Sequence, residues 1–232
     1  MAETVLVKTD EKVGKTMFLY PKIETLFDRD SKFKVDESKI RLPEFSNVKN
    51  WFVTEKIDGT CIRGFYEKGY SQVQIGGRTN KAEIPKFLQQ YLHETFTLEK
   101  MEKTFEDLPR ATLVKLFVEA YGPKIQKGNN YRNDVACRLF DVVVGEWWLE
   151  PGNITDIACK LGIKTVPKIG IMSLEEAVQY VKSKPHSIVA QEDGGNPEFP
   201  MEGIVARSYP LMLRRNKERV IFKLKVSDFA NI

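Results

Sequence analysis

Thr54-Glu55-Lys56-Ile57-Asp58-Gly59-Thr60 sets an amine beside one carboxylate, with a second carboxylate two residues on and a glycine after it. That is the make-up of a site in which a lysine acts as a nucleophile. A lysine with its ordinary pKa of about 10.4 is free amine only about one part in a thousand at neutral pH. A reactive one therefore needs cationic neighbours or desolvation. Gly59 is read as the place where the backbone passes close to a bound phosphate or base. The same four residues, Lys-x-Asp-Gly, also make an ordinary surface hairpin, so the surrounding chain has to decide.

Around the lysine the pattern is that of strands. Residues 51–57 lead to a turn at Asp58-Gly59, residues 60–66 to a Lys68-Gly69 turn, and residues 71–75 follow. Gly76-Gly77-Arg78-Thr79-Asn80 then breaks the sheet. Such a turn either aims a guanidinium at a phosphate or carries a solvated arginine. Pro85 opens a helix with Phe87, Leu88, Tyr91 and Leu92 on one face, and residues 94–110 continue helical to near Pro109. An apolar strand over 111–120 delivers Glu119 near its end, as a ribose-hydroxyl acceptor or an edge charge. Residues 123–133 read as a basic mobile loop, and 136–144 as a strand whose Phe140 faces either the core or a ligand. Asn153 caps a helix that Gly162 stops, and Ser173 caps another. A Gly/Pro/Asp-rich loop over 191–200 opens onto a short strand headed by Glu202. Arg214, Arg215, Lys217 and Arg219 then precede the last strand, 220–225, whose alternation puts Lys223 and Lys225 on one face. Two ammoniums aimed one way suit a bound anion or a solvated face.

The segment before the lysine is less regular. Residues 1–16 are charged, without periodicity, and read as a frayed terminus. Tyr20 to Asp30 either packs over a sheet edge or meets a substrate. Lys32, Lys34, Lys39 and Arg41, with Phe33 and Phe45, suit a nucleic-acid backbone or a solvated loop.

Composition narrows the class. The 232 residues are 42% hydrophobic and 29% charged, with no Ser/Gly/Pro-rich linker, so one domain over 1–232 is expected. Thirty-six basic against thirty-two acidic side chains give +4, which permits a polyanionic partner without demanding one. No apolar signal segment and no long apolar run is present, so a cytoplasmic protein without a membrane span is expected. Cys61, Cys137 and Cys159 are scattered, against a disulfide framework or zinc site, and His93 and His186 stand apart from other candidates.

Taken in order, EKIDG, GRT, FVEAYG, LFDV, EGIV and FKLK resemble the motif series of the covalent nucleotidyltransferases, the polynucleotide ligases and capping enzymes. EKIDGT, GGRTN followed by KAEIP, and the leading YPKIETLF look like the ATP-dependent RNA ligases among them. The resemblance spans about residues 50–226. It implies an α+β nucleotidyltransferase (adenylation-domain) fold, with two twisted, mainly antiparallel sheets and flanking helices. Residues 1–49 would then be an N-terminal extension packed on the domain.

The same resemblance implies the chemistry. Lys56 would attack the α-phosphate of ATP and carry AMP as a lysyl phosphoramide. Glu55 would help recognise the adenine, Phe140 would stack on it, and Glu119 would accept from the ribose, with Gly59 beside the nucleotide. Arg78 would hold a phosphate, Lys223 and Lys225 would contact the α-phosphate, and Glu202 would position Mg²⁺ or Mn²⁺. AMP would pass to a 5′-phosphate and be displaced by a 3′-hydroxyl, joining RNA ends in a nicked duplex, an RNA/DNA hybrid or free strands, by a monomer. DNA ligases and capping enzymes commonly carry an arginine where this chain has Cys61, the nearest here being Arg63. They also continue into an OB-fold, which is not expected here. A small ATP-dependent DNA ligase is the alternative in the same class. A nucleic-acid-binding relative without catalysis is the alternative in another.

Overall fold

The two strands around Asp58-Gly59 form as expected but do not form a hairpin. In the computed structural model, which describes residues 18–30 and 35–229, the first of them joins one sheet and the second joins another. The elements in chain order are β1 (Glu24–Thr25), β2 (Phe27–Arg29), β3 (Val35–Ile40), β4 (Trp51–Lys56), β5 (Thr60–Glu67), β6 (Val73–Gly76), α1 (Lys86–Thr95), α2 (Leu98–Thr104) and β7 (Leu113–Tyr121). There follow β8 (Ala136–Val144), β9 (Trp147–Trp148), α3 (Pro151–Leu161), β10 (Lys164–Thr165), β11 (Lys168–Met172), α4 (Leu174–Lys182), α5 (Ile188–Glu192), β12 (Gly203–Ser208) and β13 (Ile221–Lys225). Strand order is β1-β13-β12-β4-β11 in the first sheet. In the second it is β10-β8-β7-β5-β6, with β9 also on β8. Pairing is antiparallel except where short strands run parallel, β1 on β13 and β10 on β8.

Each sheet buries one face under helices and turns the other toward its partner. On β7, Val114, Leu116, Val118 and Ala120 enter a core shared with α1, α2 and α3. The residues between them, Phe117, Glu119 and Tyr121, point the other way because strand side chains alternate. On β4, Trp51 and Val53 pack with Phe222 and with α4 residues in a second core, which leaves Thr54 and Lys56 facing the second sheet. The crossing from β4 to β5 is tight. A Cβ built on Gly59 would stand 2.4 Å from the Ala120 carbonyl oxygen, so packing against β7 by itself already requires a glycine here.

Several boundaries differ from the sequence reading. Helix α3 begins at Pro151 with Glu150, not Asn153, in the cap position, because proline at the first turn needs no donor of its own. The helical stretch expected over 94–110 is shorter and starts anew at Leu98, where the Thr97 side chain accepts from the Lys100 amide. Ser173 caps α4 as expected, in a full capping box with Glu176. Inside the expected 191–200 loop the chain is still finishing α5, capped by Ser187. The strand expected over 111–120 runs from Leu113 to Tyr121.

The 123–133 segment, read from the sequence as a mobile loop, carries a bridge and turn hydrogen bonds of its own. Gly122 and Ile125 form a bridge, and the Gly128 amide donates to the Ile125 carbonyl. A Cβ on Gly128 would lie 2.1 Å from the Gly122 carbonyl oxygen. Of the basic residues before β4, Lys39 pairs with Asp36, and Arg41 with Glu24 and Asp28, while Phe45 is buried. Those two cations are therefore tied within the fold. Lys32, Phe33 and Lys34 lie outside the described residues, as does the 1–16 stretch.

Candidate active site

Lys56 ends β4 at the seam between the sheets and faces a cavity of about 390 Å³ lined from both sides. The first sheet contributes Lys223 and Lys225 from β13, two residues apart on one face as alternation requires. The second contributes Glu119 from β7 and Phe140 from β8. Arg78 reaches the cavity from the turn after β6, and Glu55 and Gly59 also border it. Glu202, one residue before β12, ties the group together: its two oxygens lie 2.6 Å from Lys56 Nζ and 2.6 Å from Lys225 Nζ.

The electrostatics are those of an anion site. Burial pushes Lys223 down, and the charges of Lys56, Lys225 and Arg78 push it further. Like charges so assembled favour a polyanion between them. Glu119 is the reverse case. Burial raises its carboxyl to about 8, against the pull of Lys56 and with the push of Glu202 and Asp58. At neutral pH it is largely a neutral acid with a proton to donate as well as a lone pair to accept.

Glu55 does something other than expected of its side chain. Its carboxylate accepts from the Ser187 hydroxyl and from the Val189 amide at 3.0 Å, on the face of β4 opposite Lys56. The carboxylate thereby anchors the start of α5 and is not turned to a base.

The arginine question also resolves. Cys61 lines the cavity, its thiol pushed up to about 12 chiefly by burial and next by Glu119. Arg63, fully buried, does not take its place. It donates to the Gly77 carbonyl at 2.5 Å, Asn80 Oδ1 at 3.1 Å and the Phe18 carbonyl at 3.2 Å. It braces the turn that carries Arg78.

Residues that the sequence reading did not single out complete the wall. Tyr20 packs edge-on against Phe140, with ring centroids 5.1 Å apart, and its hydroxyl donates to Asp141. Asp141 is buried against Arg219 at 2.6 Å and Arg207 at 3.1 Å, and these two guanidiniums hold its carboxyl below the usual carboxylate range despite burial. Val205 and Gln126 also face the cavity. Within the basic cluster, Arg219 is thus a buried partner of Asp141, while Arg214 pairs with Glu44 and Glu218, and Lys217 with Glu146. A run of cations in sequence gave no hint that its members would part in this way.

A divalent ion fits this site only as a shared ligand. Among the described residues no group of three or more His, Cys, Asp or Glu side chains could hold one. One or two carboxylates, with substrate phosphates and water completing the shell, is the habit of Mg²⁺, and Glu202, whose two oxygens here pair with Lys56 and Lys225, is the carboxylate that could share such an ion.

The family model described as RNA ligase matches residues 49–225, from just before β4 to the end of β13. The chain belongs to the RNA ligase family. Among solved structures, a Naegleria gruberi RNA ligase mutant with ATP and Mn superposes with a TM-score of 0.60 at 16% identity, covering 93% of this chain and 60% of that one. A mutant of the same ligase with AMP and Mn gives 0.58 at 17%, covering 90% and 62%. The ligase with PPi gives 0.57 at 17%, again covering 90% and 62%. At such identities the likeness is one of fold, and it is the nucleotidyltransferase fold. This RNA ligase family chain spans about 60% of the length of those structures. No curated protein matches its sequence.

Proposed function

We propose that this chain is an ATP-dependent RNA ligase that attaches AMP to Lys56, passes it to an RNA 5′-phosphate and joins that end to a 3′-hydroxyl. The observation that carries this reading is the convergence of Lys56, Arg78, Lys223 and Lys225 on one cavity whose far wall is Phe140. The cations suit a triphosphate, and the apolar side chains of Phe140, Val166 and Val205 in the same cavity suit a base.

In the first step Lys56 Nζ bonds to the α-phosphorus, the bond from that phosphorus to the bridging oxygen breaks, and pyrophosphate leaves. Glu202 Oε2, 2.6 Å from Nζ, is within reach to accept the proton that Nζ must lose. Lys223 and Lys225 stabilise charge on the transferring group, and Arg78 orients a phosphate from the other side. A divalent ion at Glu202 would neutralise phosphate charge. Glu119, largely protonated, can both donate to and accept from a ribose hydroxyl. In the second step the 5′-phosphate oxygen takes AMP from Lys56. In the third the 3′-hydroxyl oxygen displaces AMP and the strand is sealed.

No helix among the described residues is long and apolar enough to cross a membrane. Action in the cytoplasm as a monomer, on nicked duplex, hybrid or free ends, belongs to the same proposal. The test is incubation with radiolabelled ATP and Mg²⁺, followed by denaturation. Wild type carries label, and Lys56→Ala carries none while melting as wild type does. Strong labelling of that variant places the nucleophile elsewhere. Sealing of 5′-phosphorylated RNA should exceed sealing of DNA, and equal sealing of DNA 3′ ends moves the reading to a DNA ligase.

A further inference from the structure

Phe140 owes its place to an irregularity of the backbone, and one side chain from the opposite sheet holds that irregularity. Between β7 and β8, Val118 pairs with Leu139 and Phe117 with Asp141, which leaves Phe140 as the extra residue of a bulge. Strict alternation would send either Phe140 or Asp141 into the helix-covered core occupied by Leu139 and Val142. Because of the bulge, these two consecutive residues both face the cavity.

A bulge leaves a peptide without its ladder partner, and here Arg207 of β12 supplies one. Its Nη2 donates to the Phe140 carbonyl at 3.0 Å and its Nη1 to Asp141 Oδ1 at 3.1 Å. Arg207 is 5% exposed, lies on the opposite sheet, and shares its face of β12 with Val205, two residues earlier. Two bonds from one rigid fork therefore fix the Phe140 wall of the cavity relative to the Val205 wall. Asp141 is also held by Arg219 and Tyr20, so what sets Arg207 apart from those two is its bond to the Phe140 carbonyl.

We propose that Arg207 is a positioning residue for the nucleotide base, pinning the β8 bulge so that the Phe140 ring stands at the right distance from β12 for a base to enter between them. The inference rests on the adenylation reading above. Both of these Arg207 bonds go to β8, so its effect falls on nucleotide affinity and not on the transfer step.

Arg207→Lys keeps a cation beside Asp141 but has no planar fork to reach the carbonyl as well. It should raise the KM for ATP in self-labelling about tenfold, with kcat per active enzyme within about twofold of wild type. AMP binding, measured by calorimetry, should weaken by the same factor. Arg207→Met should behave like the lysine variant if the fork is what matters. Melting temperatures separate this from a general loss of fold, which lowers the active fraction without moving KM. A fall in kcat at unchanged KM, or no change in either in the lysine variant, overturns the proposal. Wild type that binds AMP but takes no label overturns the ligase reading instead, and AMP affinity then still decides the role of Arg207.

Discussion

At the scale of single residues the site is a balance of charges in a small space. Glu202 lies between the ammoniums of Lys56 and Lys225, so Lys56, the nucleophile of the proposed reaction, shares one carboxylate with a second cation. Glu119 offers the clearest pH signature. Its carboxyl ionises near 8 in the fold against an ordinary value of 4.5. Between those values the folded state holds a proton that the unfolded state has released, and stability therefore falls as pH rises through this window. Glu119→Gln removes that proton equilibrium. Thermal melts at pH 5, 6.5 and 8 should show a decline in wild type that is shallower in the variant. Parallel declines would mean that Glu119 ionises normally.

At the scale of elements, the β4–β5 crossing and helix α5 are joined through a buried carboxylate. Glu55 sits on the core side of β4 and accepts from Ser187, whose hydroxyl oxygen also accepts from the Ala190 amide at 3.1 Å. Ser187→Ala removes a helix cap and leaves Glu55 one donor short. Loss of the cap costs about 1 kcal/mol, and the under-satisfied buried carboxylate about 1–2 kcal/mol more. Urea unfolding should show a lower midpoint at unchanged slope, and an unchanged midpoint would count against the coupling. Lys56 lies on the same strand, so the rate of self-labelling at saturating ATP should fall less than stability does.

At the scale of the whole molecule, salt dependence reports how many cations the proposed RNA substrate engages. Many basic side chains outside the cavity are paired with acids, among them Lys39, Arg41, Arg214 and Lys217, whereas Arg78 and Lys223 line the cavity. With about two or three phosphate contacts to a single strand, the log of RNA affinity against log salt should fall with a slope of about −1 to −2. Titrating the KM for RNA in sealing from low to physiological salt measures it, and a slope several times steeper would reveal a second basic surface. The sequence by itself determined the α+β class, the strand that ends in Lys56, the shared face of Lys223 and Lys225, and the order of motifs that marks the family. These follow from local patterns, since side-chain period and turn residues are written in neighbouring positions. The tertiary structure alone decided that Asp58-Gly59 crosses between sheets instead of closing a hairpin, that Gly59 answers to Ala120, and that the carboxylate of Glu55 braces α5. It alone also brought Asp141, Arg207, Arg219 and Tyr20 together. A bulge breaks the period-two reading of β8 at Phe140, and partners separated by up to 199 residues meet only when the two sheets close on each other, an event no local pattern records.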